Sequence, residues 1–124
     1  MTLLLVGIGG FLGAIARYLI DGWVSNLTRG SFPFGTLAIN LSGSFALGIL
    51  FALTVELVEL PPDVRPALMI GFLGAYTTFS TLMLESWRLV EEGSMALGLA
   101  NLIGSSVLGI VAMVGGLTLG RALA

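Results

Sequence analysis

Charged side chains divide this chain into four uncharged stretches, 1–16, 30–55, 66–84 and 93–120. A helix rises about 1.5 Å per residue and the hydrocarbon core of a bilayer is about 30 Å thick, so a spanning helix needs about 20 mostly apolar residues. The last three stretches reach that length, the third narrowly. The first reaches it if Arg17 snorkels its guanidinium to the interface, which extends the helix to about Ile20. Helix breakers fall between the stretches. Asp21-Gly22 predicts the end of the first helix and Pro33 the start of the second. Pro61-Pro62-Asp63 separates the second from the third, with Pro66 suited to a first helical turn, and Glu92-Gly93-Ser94 separates the third from the fourth. The pattern predicts an all-α membrane protein, a single four-helix transmembrane domain over 1–124 with short connections and no internal repeat.

The third stretch breaks its own pattern. "GAYTTFST", residues 74–81, places four hydroxyls (Thr77, Thr78, Ser80, Thr81) in the middle of an otherwise apolar run. Isolated hydroxyls in a membrane helix bond back to their own turn. At 100° per residue these four share no face, and an interruption of the helix would resolve that conflict. It would free backbone groups that lipid cannot satisfy, so it survives only against protein, ions or water. A discontinuous third helix is therefore expected near Gly74–Thr81. Elsewhere Thr36, Asn40 and Ser44 fall at i, i+4 and i+8 on one face, and Asn101 and Ser105 at i and i+4 with Gly109 continuing the line. Either Asn could be interhelical glue. Two Asn with aligned hydroxyls in so apolar a chain favour a pathway, and donors without fixed cations suit an anion that must bind and still leave.

Composition narrows the function classes. The chain is 56% hydrophobic and 10% charged, with mean hydropathy +1.06, against about 25% charged residues in a soluble domain. It has no Cys, His or Lys, which removes zinc and haem ligation, thiol chemistry and histidine acid–base catalysis, and no nucleophile–base set points to an enzyme. A net charge of −2 speaks against nucleic acid. Met-Thr-Leu-Leu-Leu-Val lacks the basic flank and small-residue cleavage site of a signal peptide and reads as mature helix. Gly7-x-Gly9-Gly10-x-x-Gly13 fails as a dinucleotide fingerprint, with Leu12 at its sixth position and no preceding strand. With four spans, Arg65 and Arg121 lie on one side and Arg17, Arg29 and Arg88 on the other. That near balance reads as dual insertion, hence an antiparallel homodimer, or as too few arginines for the charge rule to act. Gly9-xxx-Gly13, Ser44-xxx-Gly48 and Ala112-xxx-Gly116-xxx-Gly120 are stripes for close helix packing, whatever the partner. The alternative reading, a small dual-topology multidrug or cation antiporter, needs an intramembrane carboxylate. The first helix has none before Asp21, and 30–55 has none.

Three blocks carry a specific resemblance: "GGFLGAIARY" (Gly9–Tyr18), "GTLAINLSGSFALG" (Gly35–Gly48) and "GFLGAYTTFSTL" (Gly71–Leu82). In this order, over this length, they resemble the signature blocks of the CrcB/Fluc family of fluoride ion channels. The resemblance implies a passive channel exporting F⁻ from the cytoplasm across the bacterial inner membrane, built as a dual-topology homodimer. It further implies a broken third helix, two fluoride pores and a structural Na⁺ at the dimer centre. The Na⁺ would be held by the backbone carbonyls of Gly74 and Thr77. Asn40 would donate to fluoride, Phe79 would offer its positive ring edge, Ser105 would continue a polar track, and Thr36 and Glu85 would sit toward a vestibule. Two positions depart from the family pattern: Leu82 stands where a second Phe is usual, and Gly109 where some members carry a hydroxyl. Glu85 is expected either to pair with Arg88 at i+3, the favoured reading, or to govern fluoride access. Arg17 is expected either to anchor the end of the first helix on loop carbonyls, the favoured reading, or to attract fluoride electrostatically.

Overall fold

A computed structural model describes residues 1–123, and all regular structure among them is helical. Helix α1 is Thr2–Thr28, and α2 is Phe34–Leu57, its last six residues wound in wider π-helical turns. The third span, Val64–Glu91, consists of α3, residues 64–76, and α4, Phe79–Glu91; α5 is Met95–Ala122. Four spans of 27, 24, 28 and 28 residues are thus long and apolar enough to cross a membrane.

Most connections lie where Pro and Gly put them. Pro33 precedes α2, Val64-Arg65-Pro66 forms the first turn of α3, and Gly93 takes φ 99° before Ser94, whose side chain caps α5 by accepting from the Leu97 N–H at 3.1 Å. The first helix differs from expectation. It does not stop at Asp21-Gly22 but runs to Thr28. Gly22 keeps a helical backbone, at a cost of about 1 kcal/mol relative to Ala, and Asp21 accepts from the Ser25 hydroxyl one turn on, at 3.4 Å. The helix stops at Arg29, whose φ of 29° ends the helical path while its N–H returns to the Ser25 carbonyl at 3.2 Å. Arg17 therefore lies inside α1 rather than at its end, and among the described residues it makes no hydrogen bond to a loop carbonyl.

Small residues let the helices touch backbone to backbone. A Cβ on Gly13 would collide with the Phe72 carbonyl oxygen, so α1 lies directly on α3; a Cβ on Gly116 would collide with the Phe45 carbonyl, and one on Gly48 with that of Met113, so α2 lies directly on α5. The glycine stripes thus pack within this one chain. Few large side chains are left to fill the inside: Ile39, Leu73 and Tyr76 form the core cluster. Most of the others, Phe11 and Trp23 among them, point outward, as suits a chain whose solvent is lipid. At one end Arg121 donates two hydrogen bonds, at 2.7 and 2.8 Å, to the Glu56 carboxylate, joining α5 to α2. At that same end the Thr2 hydroxyl donates to Asp63.

Candidate functional site

Between α3 and α4, Thr77 (φ −82°, ψ 158°) and Thr78 (φ −148°, ψ 121°) are extended. Asn40, across on α2, holds this short segment with both ends of its amide. Its Oδ1 accepts from the Thr78 N–H at 2.9 Å and its Nδ2 donates to the Thr78 carbonyl at 3.0 Å. One side chain thereby replaces the two backbone bonds that a helix would have given Thr78. The Thr78 hydroxyl caps α4, accepting from the Thr81 N–H at 3.3 Å. These bonds have a consequence for two carbonyls. In an unbroken helix the Thr78 and Thr81 amides would donate to Gly74 and Thr77. Here they are committed to Asn40 and to the Thr78 hydroxyl, so the Gly74 and Thr77 carbonyls lose their helical donors. They are hard oxygen ligands left free without any carboxylate, which fits a Na⁺.

The extended segment opens on a groove of about 530 Å³ lined by α2, α3, α4 and α5. One part is polar, with Asn40, Ser44, Thr77, Thr78, Ser105 and Ser106; Leu47, Met69, Leu73, Ile110 and Met113 make the rest apolar. Most of its hydroxyl protons are already committed. Thr77 donates to Leu73 O at 2.9 Å, Thr78 to Thr81 Oγ1 at 3.1 Å, Ser106 to Leu102 O at 2.8 Å and Ser105 to Asn101 Oδ1 at 3.3 Å. Two side-chain donors remain: the second N–H of Asn40 Nδ2, since an amide nitrogen carries two, and the Ser44 hydroxyl, which makes no hydrogen bond among the described residues. A groove with uncharged donors and no fixed cation can hold an anion without trapping it.

Comparison with known families matches residues 4–117 to the family described as CrcB-like protein, Camphor Resistance (CrcB). The chain belongs to the CrcB family. Similar relatives are the Fluoride-specific ion channel FluC of Hahella chejuensis, 48% identical over 96% of this chain and 94% of its own length, and that of Maridesulfovibrio salexigens, 42% identical over 95% and 94%. The Fluoride-specific ion channel FluC 2 of Moorella thermoacetica is 45% identical over 90% and 89%. With its four spans, this CrcB chain is a multi-pass bacterial membrane protein.

In this CrcB protein the expected site residues gather in two places. Asn40, Gly74, Thr77, Phe79, Leu82 and Ser105 all line the groove. Phe79 is 75% exposed, whereas Leu82 is buried in the wall. Thr36 and Glu85 meet elsewhere, beside a polar pocket of about 400 Å³ that Asp21, Glu85, Arg88 and Glu92 line where α1 ends and α2 begins. There the Thr36 hydroxyl donates to Glu85 Oε1 at 2.7 Å, while Oε2 is buried without a partner. The expected Glu85–Arg88 pair is not formed. Glu85 turns inward across the bundle to α2, and the one ion pair among the described residues is Arg121–Glu56. Asn101 is in neither place. It is 1% exposed behind the groove wall, bonded to Ser86 and Ser105. Sequence reasoning missed two things here: the Thr78 backbone as the partner of Asn40, and Ser86. The last stands among Glu85, Trp87 and Arg88, where its polarity draws no notice.

Proposed function

We propose that this chain forms a fluoride-selective passive channel exporting F⁻ from the cytoplasm across the bacterial inner or plasma membrane. The observation that carries this reading is the match, over nearly the whole chain, to relatives named fluoride-specific ion channels. The groove supports it. Fluoride is small and strongly hydrated, so its passage requires closely spaced donors to replace water. Asn40 supplies one through its second N–H, Ser44 another, and the exposed Phe79 ring can present its positive edge. Ser105 and Leu82 belong to the wall of that path. Thr36 and Glu85 belong to the vestibule at one end, and Asn101 acts from behind the wall.

The finer architecture belongs to the same proposal. Residues 1–124 act as one transmembrane domain, and the helix interruption at Thr77–Thr78 lies at mid-membrane, where its freed backbone meets protein and ions instead of lipid. Two copies inserted in opposite orientations pair to cover the open groove. Gly74 and Thr77 carbonyls from both copies hold a structural Na⁺ at the dimer centre, which supplies positive charge to oxygens that have lost their donors. The freed carbonyls support this assignment. The antiporter alternative finds no support in the relatives' names.

The test is fluoride-electrode recording from proteoliposomes of the purified protein under a fluoride gradient. Rapid F⁻ efflux with Cl⁻ retained is expected. No efflux, or equal Cl⁻ flux, overturns the channel reading.

A further inference from the structure

Behind the groove wall, a chain of three hydrogen bonds joins two wall residues on different helices. Ser86 Oγ donates to the Leu82 carbonyl at 2.7 Å, Asn101 Nδ2 donates to Ser86 Oγ at 2.9 Å, and Ser105 Oγ donates to Asn101 Oδ1 at 3.3 Å. All four residues are buried, but Leu82 and Ser105 line the groove and Ser86 and Asn101 do not. The directions follow from one another. A carbonyl only accepts, so the Ser86 proton goes to Leu82 and Ser86 can offer Asn101 only a lone pair. Asn101 must then present its NH₂ to Ser86 and its oxygen to Ser105. Ser105 in turn gives its proton to Asn101 and shows the groove a lone pair, which a fluoride ion avoids.

We propose that Asn101 is a positioning residue that draws the Ser105 proton away from the groove and so keeps the hold of Ser105 on a passing fluoride weak. The bond that does this is the longest of the three, at 3.3 Å against about 2.7–2.8 Å for a typical O–H···O bond. A fluoride ion beside Ser105 competes for that proton and wins it only by breaking the Asn101 bond. The groove thus holds a reserve donor that answers the ion without binding it tightly, as conduction requires. Asn101 touches no ion in this scheme. Ser86 matters only because it dictates which way the Asn101 amide faces. This inference rests on the fluoride-channel reading above.

The experiment measures initial F⁻ efflux against fluoride concentration for wild type, Asn101→Leu, Ser86→Ala, Ser105→Ala and the two double variants containing Ser105→Ala. Asn101→Leu removes the acceptor, so the Ser105 proton turns to the groove. The half-saturating fluoride concentration is expected to fall about fivefold, the effect of one hydrogen bond of about 1 kcal/mol. Ser86→Ala no longer dictates the amide direction, and a shift of the same sign, about twofold or more, is expected. Both shifts vanish in the Ser105→Ala background. Shifts that persist without Ser105, or folded variants with no shift, overturn the proposal. So does loss of monodisperse protein in both single variants, because the chain of bonds then serves folding alone. Wild-type liposomes that pass no F⁻ would overturn the channel reading instead, a result separate from any of these.

Discussion

Asn40 holds the Thr77–Thr78 segment and also supplies a free donor to the groove, and substitution can separate these roles. Asn40→Ala removes both bonds to Thr78, leaving its N–H and carbonyl without partners. An orphaned group destabilises by about 1–3 kcal/mol when fully buried; Thr78 is only half-buried on the groove, so about 2–6 kcal/mol is the upper bound for the pair. A floor comes from hydrogen bonds between membrane helices, which average about 0.6 kcal/mol each because the unfolded chain in the bilayer finds other partners. Against a total stability of about 5–15 kcal/mol, the variant should fold but melt earlier. Its flux should fall further than its stability explains. A hydrogen bond to an ion contributes about 1.5–3 kcal/mol, which at about 1.4 kcal/mol per decade is roughly a 10- to 150-fold loss.

The assay pairs fluoride efflux from liposomes with thermal denaturation in detergent, at a temperature well below the variant's melting point. Asn40→Asp sharpens it. The carboxylate keeps an acceptor for the Thr78 N–H but loses both N–H groups and brings negative charge to the groove, so its flux should be lower still than that of Asn40→Ala. A folded Asn40→Ala protein with wild-type flux would refute the reasoning. So would an Asn40→Asp protein that conducts better than Asn40→Ala.

Three further outcomes are expected. Ser44→Ala removes the other free donor and should lower flux about fivefold, the effect of one bond of about 1 kcal/mol, with melting unchanged in the same denaturation assay. Gly116→Val drives a side chain into the Phe45 carbonyl where α2 lies on α5; overpacking of about 1–3 kcal/mol should lower the melting temperature and the yield of monodisperse protein on gel filtration. Thr36→Val keeps the shape of the side chain but takes the last hydrogen bond from the Glu85 carboxylate. Destabilisation of about 1.5–3 kcal/mol should appear in thermal melts, and Thr36→Ser should reverse it.

What was legible in the sequence follows from which physical terms act locally. The uncharged stretches located four spans because charge in a bilayer is excluded residue by residue, with no reference to distant partners. Helix ends are a weaker local signal: Asp21-Gly22 looked like a stop, yet one glycine is a penalty that a long apolar helix absorbs. The change to extended backbone at Thr77–Thr78 falls inside the hydroxyl-rich octet, and the groups that lose their helical donors are backbone carbonyls, the kind of group an interruption there was expected to free. What no local pattern displays is the Asn40 amide, 38 residues away, that takes over both backbone bonds of Thr78. Glu85 was misjudged for the same reason. Arg88 at i+3 is visible along the chain, whereas Thr36, 49 residues away, is visible only once the helices are packed. The direction of each proton is further still from the sequence. Whether Ser105 is a donor or an acceptor toward the groove is decided by Leu82, Ser86 and Asn101 together, none of which betrays that role alone. The identities of polar residues can therefore mark where an anion path lies, but its strength of binding depends on which protons the surrounding helices have already claimed.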